Sequence, residues 1–271
     1  MKLQSYFDRI DYTGLADPTV ATLVALHEKH VTSVPFENLD VQLGCPVSTR
    51  PEDAYKKIVD RGRGGWCYEQ NGLFGWVLSE LGFDVIRVAA GVMREEFGKA
   101  VDANHLCLIV SCQGSDSKYL ADVGFGGSLI RPIELTEAQH ELAPFDVGLE
   151  RTDDHRWRFW ENPGDGRFTY DFADQPANES ALAEKSSFLQ SDPSSHFVLN
   201  LVAQQRSHDR HRVLRGRVFT VLQSGTKTTT LLNSAEELVA TLANEFRLDL
   251  PEVAGLWPAI TQRHEQLFGD E

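Results

Sequence analysis

Apolar residues recur at helical spacing through the first third of the chain. Asp17-Pro18 is a helix start, a capping residue with proline at the first helical position, and Leu23, Leu26, His27 and His30 then share one face. Thr49-Arg50-Pro51-Glu52 repeats the signal as a capping box ahead of Ala54 and Ile58. A third helix begins near Cys67, carries Leu73, Phe74, Val77, Leu78 and Leu81 on its apolar stripe, and ends at Gly82.

From Phe83 the period changes. Val85–Val92, His105–Cys112 and Tyr119–Val123 are short apolar runs split by polar or glycine-containing turns, and Arg156–Trp160, Phe168–Phe172, Phe197–Ala203 and Arg217–Leu222 continue the pattern. Such spacing predicts antiparallel pairing in a sheet or barrel rather than βαβ units. Asp174–Ser195, rich in Ser, Ala, Asp and Pro, reads as a surface loop or domain connection. The tail turns helical again, with a capping box at Ser234-Ala235-Glu236-Glu237 and a last helix opened by Pro251 and interrupted by Pro258. Helices, then sheet, then mixed structure make an α+β fold. The expected division is residues 1–83 with the helices, 84–195 with the strands and 196–271 as a mixed unit.

The formal charge of −14, from 40 acidic against 26 basic residues, disfavours a nucleic-acid or anionic-membrane partner. An anionic cofactor would need its own local donors. The N-terminal segment shows no apolar signal core, and no apolar run is long enough to cross a bilayer. The four cysteines, Cys45, Cys67, Cys107 and Cys112, form no CxxC pair, so the expectation is reduced thiols and a cytoplasmic setting.

One window carries chemistry: Arg61-Gly62-Arg63-Gly64-Gly65-Trp66-Cys67-Tyr68-Glu69-Gln70-Asn71. Glycines before a helix let the backbone turn sharply and expose the next side chain. Cys67 then sits at the positive end of the helix dipole, where a thiolate is favoured. Arg61 and Arg63 push the same way, and the free N–H groups of the helix start are candidates to hold an oxyanion. A cysteine is ordinarily a small core residue, but packing needs neither the glycine pair nor the arginines. Cys45, Cys107 and Cys112 lack such a setting and belong to packing or surface.

The base and its orienter are read from a hairpin. Asn104–Val110 is a buried strand with His105 near its start, and Tyr119–Gly127 is the returning strand, ending in glycines. Pairing Cys112 with Ser117 across the turn places His105 opposite Gly124, with Asp122 next on the same face. A register one residue different would separate them. Together they make an imidazole oriented by a carboxylate, the partner a nucleophilic thiol requires.

His27-Glu28-Lys29-His30 has its histidines three apart rather than at zinc-helix spacing and reads as a partly exposed helix face. His208-Asp209-Arg210-His211 reads as a polar loop. Gly124-Phe125-Gly126-Gly127 lacks the residues of a P-loop and the Rossmann spacing, and reads as a flexible edge beside an active site. No metal site is expected.

The chain resembles the arylamine N-acetyltransferase family. Arg63-Gly64-Gly65-Trp66-Cys67-Tyr68-Glu69-Gln70-Asn71 is similar to its R-G-G-x-C-x-E-x-N signature, Val34-Pro35-Phe36-Glu37-Asn38-Leu39 to its V-P-F-E-N-L segment, and Asp122-Val123-Gly124-Phe125-Gly126 to its D-V-G-F-G. Tyr6-Phe7-Asp8-Arg9-Ile10 and Ser195-His196-Phe197 fit as well. The resemblance implies a helical bundle, an antiparallel β-barrel and an α/β lid around a cysteine-protease-like Cys-His-Asp core. It implies acetyl-coenzyme A as donor and arylamines, arylhydroxylamines or hydrazines as acceptors. Cys67, His105 and Asp122 take the triad roles, Phe36 and Phe125 line the acceptor pocket, and Gly124 and Gly126 are candidates for cofactor contact. A monomer or small homo-oligomer is expected. The other readings are a macrolactam-forming amide synthase, a transglutaminase-like enzyme or cysteine protease with the same triad, and a silent binding protein that keeps the fold.

Overall fold

A computed structural model describes residues 1–127, 129–164 and 166–269. The chain opens with helices α1 (Leu3–Arg9) and α2 (Val20–Ser33), a two-residue strand β1 (Phe36–Glu37), and helices α3 (Leu39–Gln42), α4 (Pro51–Tyr55) and α5 (Cys67–Glu80). Strand β2 (Asp84–Val92), helix α6 (Arg94–Phe97), β3 (His105–Ser111), β4 (Lys118–Ala121), β5 (Ile133–Glu134), β6 (Ala138–Leu142), β7 (Phe145–Arg151), β8 (Trp157–Asn162) and β9 (Phe168–Phe172) follow. The last part holds α7 (Glu179–Ser191), α8 (His196–Leu199), β10 (Val202–Arg206), β11 (Arg210–Arg215), β12 (Val218–Gln223), β13 (Thr226–Leu231), α9 (Ala235–Phe246) and α10 (Trp257–Phe268).

Among the described residues the strands form two antiparallel sheets. The larger has eight strands in the order β5-β4-β3-β2-β9-β8-β7-β6, and the smaller has five in the order β1-β10-β11-β12-β13. The mixed helix-and-sheet expectation holds. The expected barrel is an open half-barrel, with β5 and β6 at its free edges. β1 comes from the helical first third yet pairs with β10, Phe36 opposite Gln204, so the small sheet joins the two ends of the chain.

Helix α5 packs its apolar stripe (Leu73, Phe74, Val77, Leu78) on Cys107, Leu108 and Val110 of β3 and on Val88 of β2. Gly75 allows the close approach: a Cβ there would stand 3.3 Å from Leu108. Burial of this stripe is the main favourable term in docking α5. A second core lies under the small sheet, where Leu238, Leu242 and Phe246 of α9 meet Leu201, Ala203 and Leu214.

Several local expectations fail for identifiable reasons. Thr19, not Asp17, caps α2, its hydroxyl accepting the Thr22 N–H at 3.3 Å, so Pro18 lies outside the helix. No side chain caps α4; Pro51 starts it, and it runs on into a π-helical turn over Lys56–Asp60. Ser234 does cap α9, but Glu237 reaches back to Asn233 N instead of completing the box. Pro258 stands in the first turn of α10, after a 3-10 turn over Pro251–Leu256, and so begins that helix rather than breaking it.

Two larger departures matter for the site. The expected loop Asp174–Ser195 contains α7, capped by Asn178 and burying only Leu182, Ser186 and Leu189 on one face. So thin a stripe in a Ser- and Ala-rich run leaves little periodic signal. The expected strand Phe197–Ala203 begins instead as the short helix α8, capped by Ser195, and becomes strand only at Val202.

Candidate active site

The N-terminus of α5, the start of β3 and the segment after β4 meet beneath one cleft. The β3–β4 register pairs Leu108 with Ala121 and Ser111 with Lys118. That is the pairing expected from the Cys112–Ser117 turn, and it brings Asp122 beside His105. Asp122 Oδ2 lies 2.6 Å from His105 Nε2. Both are buried, as is Cys67.

Asp122 is held as an anion. Burial would raise its pKa, but His105, Asn71 Nδ2 at 2.8 Å and the Gly124 N–H at 2.9 Å outweigh it, and the net shift is downward. Nε2 of His105 therefore donates to the carboxylate, leaving Nδ1 as the nitrogen free for a second partner. Burial would lower the pKa of His105, yet the charge and hydrogen bond of Asp122, with a further contribution from Cys67, raise it to about 10. The ring is packed between Phe125, 5.2 Å away centroid to centroid, and Tyr170 at 4.9 Å. The sequence thus named three residues that the fold brings together.

Gly124 makes the close approach possible. A Cβ at that position would stand 2.8 Å from Cys67 Cα and 2.6 Å from Asn71 Nδ2, so only glycine lets this segment lie against the start of α5. Gly64 is equally confined, since its Cβ would collide with Pro35 O. Glu37 N donates to Gly65 O at 3.1 Å and Gly65 N donates to Pro35 O at 3.2 Å, which stitches the turn before Cys67 to β1. Among the described residues the N–H groups of Cys67 and Tyr68 have no hydrogen-bond acceptor.

The arginines do not do what their place in the sequence suggests. Arg63 is buried, and its Nη2 lies 2.8 Å from Glu37 and 3.0 Å from Asp40, so its charge is neutralised within an ionic cluster rather than lent to Cys67. Arg61 is exposed. Lys57 completes the cluster, with Nζ 2.9 Å from Asp40 and 3.0 Å from Glu69. His27 and His30, expected on a partly exposed face, are both fully buried. His30 bridges Tyr6 Oη at 2.8 Å and Gln70 Oε1 at 3.3 Å. His211, expected in a polar loop, is a buried β11 residue whose Nε2 donates to Gly126 O at 2.8 Å.

Sequence reasoning gives Asn71, Glu69 and Gln70 no work of their own; their places in the signature are the only signal. Cys107 and Cys112 are buried, Cys45 is exposed, and all four cysteines are free. Among the described residues there is no cluster of His, Cys, Asp and Glu suited to a metal, and no helix is long and apolar enough to cross a membrane.

A cavity of about 490 Å³ opens over Cys67 and His105, with Phe36, Gly124, Phe125 and Phe197 in its walls. Gly126 is not in its lining and packs against Gln204. A larger adjoining cavity, about 540 Å³, does not reach the triad but shares Phe125, Phe168 and Arg215 with the first. Arg215, Arg217 and Arg263 line the larger cavity, where Arg217 Nε donates to Leu232 O at 3.0 Å and Arg263 Nε to Asn200 Oδ1 at 3.3 Å.

The sequence pattern of the N-acetyltransferase family matches residues 19–254. An arylamine N-acetyltransferase of Mycolicibacterium smegmatis is 38% identical over 264 residues, covering 94% of each chain. The Mycobacterium tuberculosis arylamine N-acetyltransferase is 34% identical over 286 residues, covering 99% of this chain and 96% of its own. Among solved structures, the Mycobacterium marinum arylamine N-acetyltransferase in complex with CoA superposes with a TM-score of 0.87 at 33% identity, covering 98% of this chain and 99% of that one.

Proposed function

The chain belongs to the arylamine N-acetyltransferase family of acyltransferases, and on that premise we propose that it transfers an acetyl group from acetyl-coenzyme A to the nitrogen of an aromatic amine, hydroxylamine or hydrazine through an acetyl-cysteine at Cys67. The observation that carries this reading is the His105–Asp122 pair, 2.6 Å apart and buried beside Cys67 beneath a cavity walled by Phe36 and Phe125.

In the first half-reaction the Cys67 thiolate, partnered by protonated His105, adds to the thioester carbonyl. The N–H groups of Cys67 and Tyr68, which have no acceptor among the described residues, are the candidates to receive the developing oxyanion. The carbon–sulfur bond to coenzyme A breaks, and His105 gives its proton to the departing sulfur. In the second half-reaction the amine nitrogen attacks the acetyl-cysteine, neutral His105 takes the surplus proton, and collapse releases the amide and restores the thiolate–imidazolium pair. Asp122 keeps its charge throughout and orients the ring.

The donor reading is supported by the cations of the cleft. Arg215, Arg217 and Arg263 supply, in a protein of formal charge −14, the local donors that the phosphates of coenzyme A require. The aromatic walls suit a flat acceptor. The core is of the cysteine-protease kind, and the division at residues 1–83, 84–195 and 196–271 separates nucleophile, base with orienter, and the cation-bearing lid.

Incubation with acetyl-coenzyme A alone, followed by intact and peptide mass analysis, tests the reading. One acetyl group on the peptide containing Cys67 is expected, and its absence at full thiol reactivity would overturn the donor assignment. Initial rates with donor and acceptor varied together should give parallel double-reciprocal lines, as one site serves both in turn.

A further inference from the structure

The turn Gly65-Trp66-Cys67 is gripped from two sides by first-turn side chains of α5 that are not part of the triad. On one side Gln70 Nε2 donates to Gly65 O at 2.7 Å, and Gln70 Oε1 meets the buried His30. On the other, Glu69 Oε2 accepts the Trp66 N–H at 3.2 Å, and both carboxylate oxygens stand 3.0 Å from Lys57 Nζ. The contact is tight: a Cβ on Gly65 would lie 2.9 Å from Glu69 Oε2. Trp66 immediately precedes the thiol, so the Glu69 carboxylate holds the Gly65–Trp66 peptide, one unit before the peptide that carries Cys67.

The charges around Glu69 are unbalanced. Glu37 on β1, Asp40 on α3 and Glu69 on α5 face two cations, Lys57 on the π-helical turn and Arg63 in the loop before α5. Arg63 serves Glu37 and Asp40, whereas Glu69 has Lys57 alone and shares it with both other carboxylates. Glu69 is 4% exposed and Lys57 2%. A buried carboxylate with one shared cation and a like charge nearby is the member of such a cluster most easily neutralised.

We propose that Glu69 is a positioning residue for Cys67: its ionised carboxylate, braced by Lys57, holds the Trp66 N–H and with it the attacking orientation of the thiol, and protonation of Glu69 loosens that hold. The proposal rests on reading Cys67 as the nucleophile. Burial raises the pKa of Glu69, Lys57 lowers it and Glu37 raises it further, leaving it at about 7. His105, at about 10, does not titrate in that range. The limb that belongs to Glu69 is the one that Glu69→Gln removes, and it rises with pH because the ionised form is the better acceptor for the Trp66 N–H.

The test is the pH dependence of Cys67 alkylation by iodoacetamide, followed by peptide mapping in a Cys45→Ser background because Cys45 is exposed. The otherwise native chain should show a limb rising near neutrality. Glu69→Gln should be flat at the low-pH level, about tenfold slower than the native chain above the limb, as expected for a modest loss of orientation. Acetyl-transfer kcat should fall in parallel while acceptor KM stays unchanged. A Glu69→Gln protein that keeps the limb and the upper plateau overturns the proposal. Should Glu69→Gln fail to fold, Glu69→Asp takes its place: it should keep the limb with a lower plateau, and an unchanged plateau overturns the proposal. Absence of alkylation at Cys67 in the native chain would defeat the nucleophile reading and this inference together. Alkylation with the expected limb but without acetylation by acetyl-coenzyme A would defeat only the donor reading.

Discussion

Asn71 Nδ2 donates to Asp122 Oδ1 at 2.8 Å, while Asn71 Oδ1 accepts the Val123 N–H at 3.0 Å. One amide thus grips both the carboxylate and the backbone of the segment that follows β4. Asn71 lies one helical turn after Cys67 on the same face of α5. The helix that presents the thiol therefore also fixes the carboxylate that orients its base. Asn71 Nδ2 additionally reaches Leu106 O at 2.6 Å, tying the same amide to β3.

Asn71→Ala should cost about 1–3 kcal/mol of stability, since it strips partners from buried polar groups. Its larger effect should be on turnover, with kcat falling by about tenfold or more as Asp122 loses its fixed orientation. Thermal unfolding together with steady-state kinetics separates the two, and a variant that loses stability but keeps kcat would count against the orienting role.

Gly124→Ala should act by collision. The added methyl would sit 2.8 Å from Cys67 Cα and 2.6 Å from Asn71 Nδ2, and backbone must move to admit it. Overpacking of this kind costs about 1–3 kcal/mol, and the movement pulls Asp122 from α5. Loss of acetyl-enzyme formation in a folded protein is the expected result, checked by mass analysis after incubation with acetyl-coenzyme A.

Stability should fall toward acid pH because of two histidines outside the triad. Burial holds His27 at about 4 and His30 at about 3, against 6.5 when unfolded. Between those values the unfolded chain binds protons that the native chain refuses, so stability is lost as pH falls below 6.5. Each tenfold weakening of proton affinity on folding corresponds to about 1.4 kcal/mol. His105 works in the opposite direction. Its native value of about 10 adds stability that is complete below 6.5 and lost as pH rises toward 10. Glu69 opposes the two buried histidines, since its native value of about 7 against 4.5 when unfolded returns stability as pH falls, but the two histidines outweigh it. Urea midpoints measured across pH should therefore decline on both sides of a maximum near neutrality, and a flat acid side would contradict neutral burial of the two histidines together.

Arg215→Ala should weaken the donor selectively. Arg215 is exposed at the rim shared by both cavities, so its contribution to binding phosphates is modest. KM for acetyl-coenzyme A should rise about two- to fivefold, an effect that shrinks with added salt. KM for the acceptor should not change. Two-substrate kinetics at low and high ionic strength measure both.

The elements legible in the sequence are those whose signals are local. The start of α5 at Cys67 follows from glycines and an apolar stripe, and the β3–β4 register follows from a short turn. The hidden elements have weak or non-local signals. β13 has every side chain exposed, and α7 buries a face of only three residues. The role of Arg63 is hidden because its neighbours in sequence do not include Glu37 or Asp40, the carboxylates that neutralise it. His30 resembles a surface residue for the same reason: Tyr6 and Gln70, which satisfy it, lie far away along the chain.

By itself, then, the sequence determined that a thiol would stand at a glycine-preceded helix start and that an imidazole and a carboxylate would share one face of a hairpin. Turn geometry and side-chain periodicity act over a few residues and need nothing else. Only the tertiary structure decided that these two pieces meet. The meeting depends on α5 burying its stripe against β3, on Gly75 and Gly124 permitting the approach, and on Asn71 joining the helix to the segment after β4. Those terms are desolvation and packing between distant segments, and they exist only once the chain has folded around them.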